Sequence, residues 1–528
     1  MLTKIKDIFR IDNLPAWYFL TPAILVGVSV LVPLLYLIVR AFDADPDLSM
    51  ELVFRRRNLE LLYNTLLLAV STLLVGTLLA LPMAWITTRT NIPGRKALTL
   101  LGVLPLAIPG YVMAYALLGF TGANGTLAQL FGIELPRLSG FTGALTAISL
   151  YTYPYLYLNF RSALSGIDPS LEEVSRSMGY RPRAVFFRVI LPQLRPAYYA
   201  GALIIFLYVL GDFGAVSLMR FETFSYAIYL QYAAAYDRVY AAWLALMLLA
   251  LTSTALVVEY RLLRGLFFHR IGMGSEKKAS MIPLGPWKWP AYIFVTVLVL
   301  LSIVLPLSTI IYWMIDAFDP QQLTGLRRAL TGSVSASAPA ALLATALAIP
   351  LAYNGVRHPS RFTRGLERIA YLGYATPPLA FALALIFFTL GSVPILYQTL
   401  TLLIVAYALH FLAEAIGPVR SSLYQASPRL EEAARSLGYG RLKAFFLATF
   451  PVMRNGLIVS AAFVFMSAMK ELPITFLLAP VGYETLAVNV WSYTAEAMFA
   501  EAAPYALVIL LFSTLFVGLL FAKEWAQR

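Results

Sequence analysis

Two pairs of adjacent carboxylates, Glu172-Glu173 and Glu431-Glu432, stand in segments that read almost alike. Arg161–Ala197 (RSALSGIDPSLEEVSRSMGYRPRAVFFRVILPQLRPA) aligns with Arg420–Gly456 (RSSLYQASPRLEEAARSLGYGRLKAFFLATFPVMRNG) without a gap, at an offset of 259, with 15 of 37 positions identical. Shared positions include Arg176/Arg435, Gly179/Gly438, Tyr180/Tyr439, Phe186/Phe445, Phe187/Phe446 and Pro192/Pro451. The repeat runs on: Leu-Gly-Asp-Phe-Gly (210–214) lies opposite Met-Lys-Glu-Leu-Pro (469–473), setting Asp212 against Glu471 beside Lys470. These charges interrupt apolar runs, where charge is costly and usually placed for function. Carboxylates there are hard oxygen ligands suited to a hard cation, or partners of Lys470 in a structural ion pair. Other chemistry is thin. There is no cysteine, and His269, His358 and His410 form no spaced ligand cluster. No nucleophile–base arrangement stands out, and no G-x-x-x-x-G-K-[ST] phosphate loop occurs.

The duplicated segments read as a short helical pair. Asp168-Pro169 and Ser427-Pro428 are helix starts, a capping residue followed by proline in the first turn. The acidic pairs then suit the helix dipole. Gly179 and Gly438 stop that helix. A second helix, with Phe186-Phe187 or Phe445-Phe446 on its apolar face, is expected to end near Pro192 or Pro451. The pair is apolar on one side and charged on the other. Resting on a bilayer surface would not require the same carboxylates and the same glycine twice.

The elements that position these loops are long apolar runs. Of 528 residues 60% are hydrophobic and 13% charged, where a soluble domain is about a quarter charged. Runs of 18 or more apolar residues match a hydrocarbon core roughly 30 Å thick. Twelve spans are expected, at about 18–40, 60–88, 98–119, 141–160, 198–218 and 240–262, then 290–314, 332–354, 367–390, 395–417, 456–478 and 503–522. The fold class is an all-α polytopic membrane protein built from two tandem six-helix domains, 1–264 and 290–528. The loops 161–197 and 420–456 each fall between the fourth and fifth spans of their half. Prolines at 82, 109, 350, 377 and 378 interrupt spans, a break tolerated when neighbouring helices satisfy the freed backbone.

Charge sets the expected orientation. With both termini inside, 30 of 40 lysines and arginines fall on the inner side. Arg55, Arg56 and Arg57 resist that scheme, although Asp43, Asp45 and Asp47 are near them. The net charge of +13 fits positive inner loops, and no nucleic-acid partner is expected. The basic start MLTKIKDIFRIDNLP lacks a small-residue cleavage site, so the first span is expected to direct insertion itself. Residues 265–289 read as an inner linker; GMGSEKKAS within it is a flexible connector.

The second loop reads E-A-A-x3-G-x9-A-x-F-P from Glu432 to Pro451, and the first E-V-S-x3-G-x9-V-x-L-P from Glu173 to Pro192. This resembles the EAA loop of ABC-importer permeases, with small or apolar departures at Val174, Ser175, Ala448 and Phe450. The resemblance implies loops that couple to an ATPase. Their residues would be Glu172, Glu173, Arg176, Gly179, Leu191 and Pro192, and Glu431, Glu432, Ala433, Ala434, Arg435, Gly438 and Pro451. It also implies two copies of a separate ATPase subunit, which uses the ATP, and a periplasmic or lipid-anchored solute-binding protein. The chain would be a permease subunit of the bacterial inner membrane, embedded in lipid, not itself an enzyme and binding no cofactor.

The stretches LGDFGAVSLMRFETFSYAIYLQY and MKELPITFLLAPVGYETLAVNVW look like those of fused ferric-iron ABC permeases. That resemblance implies a hard trivalent cation as cargo, with Asp212, Lys470 and Glu471 flanking its path. Glu222 and Glu484, in outer loops, would be docking points for the binding protein, or else solvated loop charges. Related permeases carry thiamine, sulfate, molybdate, polyamines or phosphonates, so these cargoes stay open. An ion-gradient-driven secondary transporter would show similar spans but would need no duplicated coupling loop. A membrane enzyme or scaffold without a transport role is the remaining alternative.

Overall fold

A computed structural model describes residues 17–43, 45–263, 281–316 and 322–526. The basic N-terminal stretch, His269, GMGSEKKAS and most of the expected linker (265–280) lie outside the described residues. Among the described residues there is no β-strand; one isolated bridge joins Thr90 and Ile282.

Among the described residues, seven helices are long and apolar enough to cross a bilayer alone: Trp17–Ala41, Arg56–Arg89, Arg238–Leu263, Gly285–Ile315, Leu323–Arg357, Arg441–Met469 and Phe499–Gly518. Four bent helix pairs bring the number to eleven if each pair is one span: Arg95–Ala107 with Gly110–Phe120 (95°), Pro182–Gln193 with Arg195–Gly211 (59°), Arg361–Ala375 with Pro378–Ser392 (106°), and Leu400–His410 with Leu412–Gln425 (54°). The twelfth expected span is Gly140–Gly166, 27 residues long, which at 1.5 Å per residue reaches about 40 Å. Tyr151, Tyr153, Tyr155 and Tyr157 make it less apolar than the others. Its polarity is affordable because it faces protein: Tyr153 and Tyr157 are fully buried, and the Tyr157 hydroxyl meets Thr87 Oγ1 at 3.1 Å.

The prolines divide into two kinds. Pro109 and Pro377 sit at the two sharpest bends. The residues before them, Ile108 and Thr376, are extended at ψ 113° and 129°, as the proline ring demands of its predecessor. Pro82 and Pro350 lie inside continuous helices, where packing holds the chain straight enough to absorb a lost hydrogen bond.

The chain forms two compact units, 1–55 with 228–249 and 320–489, and 56–227 with 250–319 and 490–528. Each draws on both sides of the linker. In the first unit, Trp17–Ala41 packs on second-half spans: Phe19 stacks on Tyr353 at 4.0 Å, and Asn354 Nδ2 donates to the Phe19 carbonyl at 2.9 Å. In the second, Trp313 Nε1 donates to the Gly119 carbonyl at 3.2 Å, and the Tyr115 hydroxyl donates to the Phe499 carbonyl at 3.0 Å.

Small residues let the central helices of the second unit approach. A Cβ at Gly201 would lie 2.9 Å from Leu156 Cδ2 and 3.3 Å from its Cα. Gly201→Leu is therefore expected to destabilise the packing of Arg195–Gly211 on Gly140–Gly166 by about 2 kcal/mol. Thermal unfolding in detergent measures this, and an unchanged melting temperature would contradict it.

Candidate coupling loops and intramembrane carboxylates

Both duplicated loops begin as their residues dictate. Helices Pro169–Ser177 and Pro428–Ser436 start at proline; Asp168 Oδ1 accepts from Ser170 N at 3.0 Å, and Ser427 Oγ from Arg429 N at 3.4 Å. Both end in the same way. Gly179 and Gly438 are left-handed at φ +85° and +89°. The Gly179 and Gly438 amides donate to Arg176 and Arg435 carbonyls, both at 2.9 Å. Tyr180 and Tyr439 amides donate to Ser175 and Ala434 carbonyls at 3.2 and 3.3 Å. This is the two-bond glycine stop that satisfies a helix's last carbonyls.

In the first loop the second helix ends near Pro192 as expected, at Gln193 before the 59° bend; in the second loop Pro451 does not end it. Five-residue π-helical turns, Phe186–Ile190 and Phe445–Thr449, precede the two prolines. There Leu191 and Phe450 amides bond to carbonyls five residues back, at Phe186 and Phe445. A widened turn of this kind accommodates the donor that proline lacks. In the first loop the chain then bends at Leu194; in the second it runs straight on as Phe450–Met469.

The two acids of each pair part company. Glu172 and Glu431 turn inward. Glu172 Oε1 lies 2.7 Å from Arg89 Nη2, and its Oε2 lies 3.6 Å from Arg176. Glu431 accepts from Tyr353 OH at 2.8 Å and Thr449 Oγ1 at 2.6 Å, with Arg357 Nη2 at 3.8 Å. Glu173 and Glu432 are exposed, as are Arg435 and Ala433. Around them stand exposed Leu171, Val174, Met178 and Phe187, and Leu430, Leu437, Leu442 and Phe446. Arg89, Arg357, Tyr353 and Thr449 escaped the sequence reading. Arg89 and Arg357 close their helices at corresponding places, a signal visible once the halves are aligned.

The intramembrane carboxylates cap helix breaks. Where the fifth span breaks, Asp212 Oδ1 accepts from the Ala215 and Val216 amides at 2.9 and 3.1 Å, and Tyr151 OH donates to Oδ2 at 3.0 Å. At the matching break, Glu471 Oε1 accepts from Ile474 N at 3.1 Å. Lys470 lies within electrostatic reach of Glu414, an acid the sequence reading passed over although it stands in an apolar run. Ser467 Oγ donates to Glu414 Oε2 at 2.7 Å. No group of three or more His, Asp or Glu among the described residues is placed to hold a metal ion.

Glu222 and Glu484 hold matching loops. Arg57 reaches Glu222 at 3.1 Å and Arg328 reaches Glu484 at 3.2 Å. Beside them the Phe224 amide donates to Thr65 Oγ1 at 3.1 Å and the Leu486 amide to Ser333 Oγ at 2.9 Å. The arginine triplet is thereby explained: Arg55 pairs with Glu51 at 3.4 Å, Arg56 with Glu60 at 3.6 Å, and Arg57 with Glu222.

About twelve helical spans in two repeats, each with a capped loop carrying one inward-facing and one exposed acid, define a permease of the importer class. The chain belongs to the family described as binding-protein-dependent transport system inner membrane component, whose profile matches residues 73–324 and again 341–525. It is 33% identical to the Fe(3+)-transport system permease protein FbpB 2 of Haemophilus influenzae, over 97% of this chain and 99% of that protein. It is 34% identical to the molybdenum transport system permease protein ModB of Haemophilus influenzae, over 29% of this chain and 67% of that protein. Likeness to the sulfate transport system permease protein CysT of Salmonella typhimurium is 32%, over 29% of this chain and 55% of that protein. Family membership makes the chain a multi-pass inner-membrane subunit that works with a solute-binding protein and an ATPase.

A Cβ at Gly179 or Gly438 would meet nothing within 4 Å, so only backbone handedness demands glycine there. Gly179→Ala or Gly438→Ala is expected to cost about 1–2 kcal/mol locally. Limited proteolysis should show faster cleavage within the altered loop and unchanged protection of the spans.

Proposed function

We propose that the chain is the whole membrane pathway of an ATP-driven importer of ferric iron. The observation that carries the cargo is the likeness to a ferric permease along nearly the full length of both chains. The molybdenum and sulfate relatives match only 29% of this chain each. Two ATPase copies dock, one on each duplicated loop, through the exposed apolar faces and through Glu173 and Glu432. Both loops and both termini face the cytoplasm, the side that receives 30 of 40 lysines and arginines. The chain lacks a phosphate-loop motif, so ATP is used by the partner and this chain is no enzyme and holds no cofactor. A periplasmic or lipid-anchored binding protein delivers the cargo at the opposite side, where Glu222 and Glu484, already paired to arginines, leave part of their surface to solvent. Asp212, Lys470 and Glu471 flank the path.

The cargo is tested by the ligand that the partner binding protein retains and by uptake into proteoliposomes holding all subunits. Ferric ion taken up only with ATP is the expected result. Molybdate or sulfate would replace the cargo and leave the permease standing; uptake indifferent to ATP would remove the ATP-driven reading. Glu173→Ala with Glu432→Ala is expected to abolish most ATP-dependent uptake without lowering the thermal stability of the chain. Wild-type uptake in that double variant would remove the coupling role of these two acids.

A further inference from the structure

The two loops turn the same carboxylate inward, Glu172 buried and Glu431 half-buried, but hold it by different means. Glu172 is 8% exposed and Arg89 3%, and the charges meet at 2.7 Å. In the second loop, Arg357 occupies the place matching Arg89 yet donates from Nη2 to the Ala426 carbonyl at 2.7 Å, leaving Glu431 at 3.8 Å. Two hydroxyls, from Tyr353 and Thr449, take Glu431 instead. The positions matching them in the first half are Trp85, with Pro82 set against Pro350 at an offset of 268, and Ile190, at the loop's offset of 259; neither carries a hydroxyl. Glu172 therefore relies on charge where Glu431 relies on neutral donors.

Arg89 is also braced through its backbone. The Ile282 amide donates to the Arg89 carbonyl at 2.9 Å, and the Asn91 amide donates to the Ile282 carbonyl at 3.2 Å. The Leu284 amide donates to Asn91 Oδ1, and Tyr292 OH to the Pro93 carbonyl, both at 3.2 Å. The end of the expected linker and the helix that follows it thus grip the turn that ends the Arg89 helix. A carboxylate buried against one cation becomes an uncompensated charge if that cation is removed. One held by neutral donors loses less from the removal of a distant cation.

We infer that Arg89 is a positioning residue for the first loop: acting through Glu172, it fixes helix Pro169–Ser177 and the way Glu173 is presented. The second loop obtains the same order from Tyr353 and Thr449 and does not depend on the charge of Arg357. That this order serves an ATPase rests on the proposed function; the order itself does not.

The chain has no cysteine, so Ser177→Cys and Ser436→Cys each give a single spin-label site at the exposed end of a loop helix. Mobility is read by electron paramagnetic resonance on the full chain in nanodiscs, with no partner added. Arg89→Gln is expected to mobilise the label at position 177, and Arg89→Lys to restore much of its order. Arg357→Gln should leave the label at position 436 near its wild-type mobility, whereas Tyr353→Phe with Thr449→Val should mobilise it. If Arg89→Gln fails to fold, Arg89→Gln with Glu172→Gln removes both buried charges; it should insert normally and still mobilise position 177. With the ATPase and binding protein added, cargo imported per ATP should fall in Arg89→Gln and recover in Arg89→Lys. An immobile label at position 177 in the neutralised variants, or equal responses of the two loops to loss of their arginines, would overturn the inference. A wild-type chain that never couples to an ATPase would defeat the functional reading and leave the mobility result to decide this one.

Discussion

A peptide group taken out of water without a partner costs several kcal/mol, and a hydrocarbon phase offers none. Each place where a helix of this chain stops or bends inside its apolar layer therefore needs a built-in acceptor or donor. The fifth span of each half breaks where a carboxylate waits: Asp212 takes the amides of Ala215 and Val216, and Glu471 takes that of Ile474. Thr399 Oγ1 accepts from Leu402 N at 3.2 Å where the tenth span begins. The acids that look most like cation ligands in sequence are thus already engaged with backbone.

The same requirement sorts the acidic pairs. Adjacent residues on a helix point about 100° apart, so one acid of each pair can face the protein while the other faces outward. Glu172 and Glu431 face in and are held by neighbouring helices; Glu173 and Glu432 face out. The inward acid sets the orientation of a nine-residue helix too short to hold itself together in water. The outward acid is then displayed by a rigid support.

Much of this was legible in the sequence because its signals are local. Span length follows from hydropathy, and the loop helices follow from Asp168-Pro169, Ser427-Pro428, Gly179 and Gly438. What was hidden depends on distance along the chain. Arg89 meets Glu172 across 83 residues and Arg357 meets Glu431 across 74, and nothing in either neighbourhood marks the partner. The end of the second loop's second helix was misread for a related reason. Proline signals a stop only when its missing amide would have been used, and the π turn before Pro451 removes that need. The arginines at 55–57 looked misplaced because their partners include Glu222, far away in sequence.

Duplication explains both the likeness and the drift of the two halves. Pairs that satisfy backbone recur in both, as Thr65 with Phe224 and Ser333 with Leu486. Some pairs between side chains differ. Tyr155 donates to Tyr208 at 2.8 Å in one half; the matching positions hold Glu414 and Ser467, bonded at 2.7 Å. The added Glu414 also brings negative charge within reach of Lys470, whose counterpart in the first half is Gly211. Backbone demands are identical in two copies of one fold and hold their solutions fixed; side-chain pairs answer only to each other, and it is through them that one half of this permease acquires chemistry the other lacks.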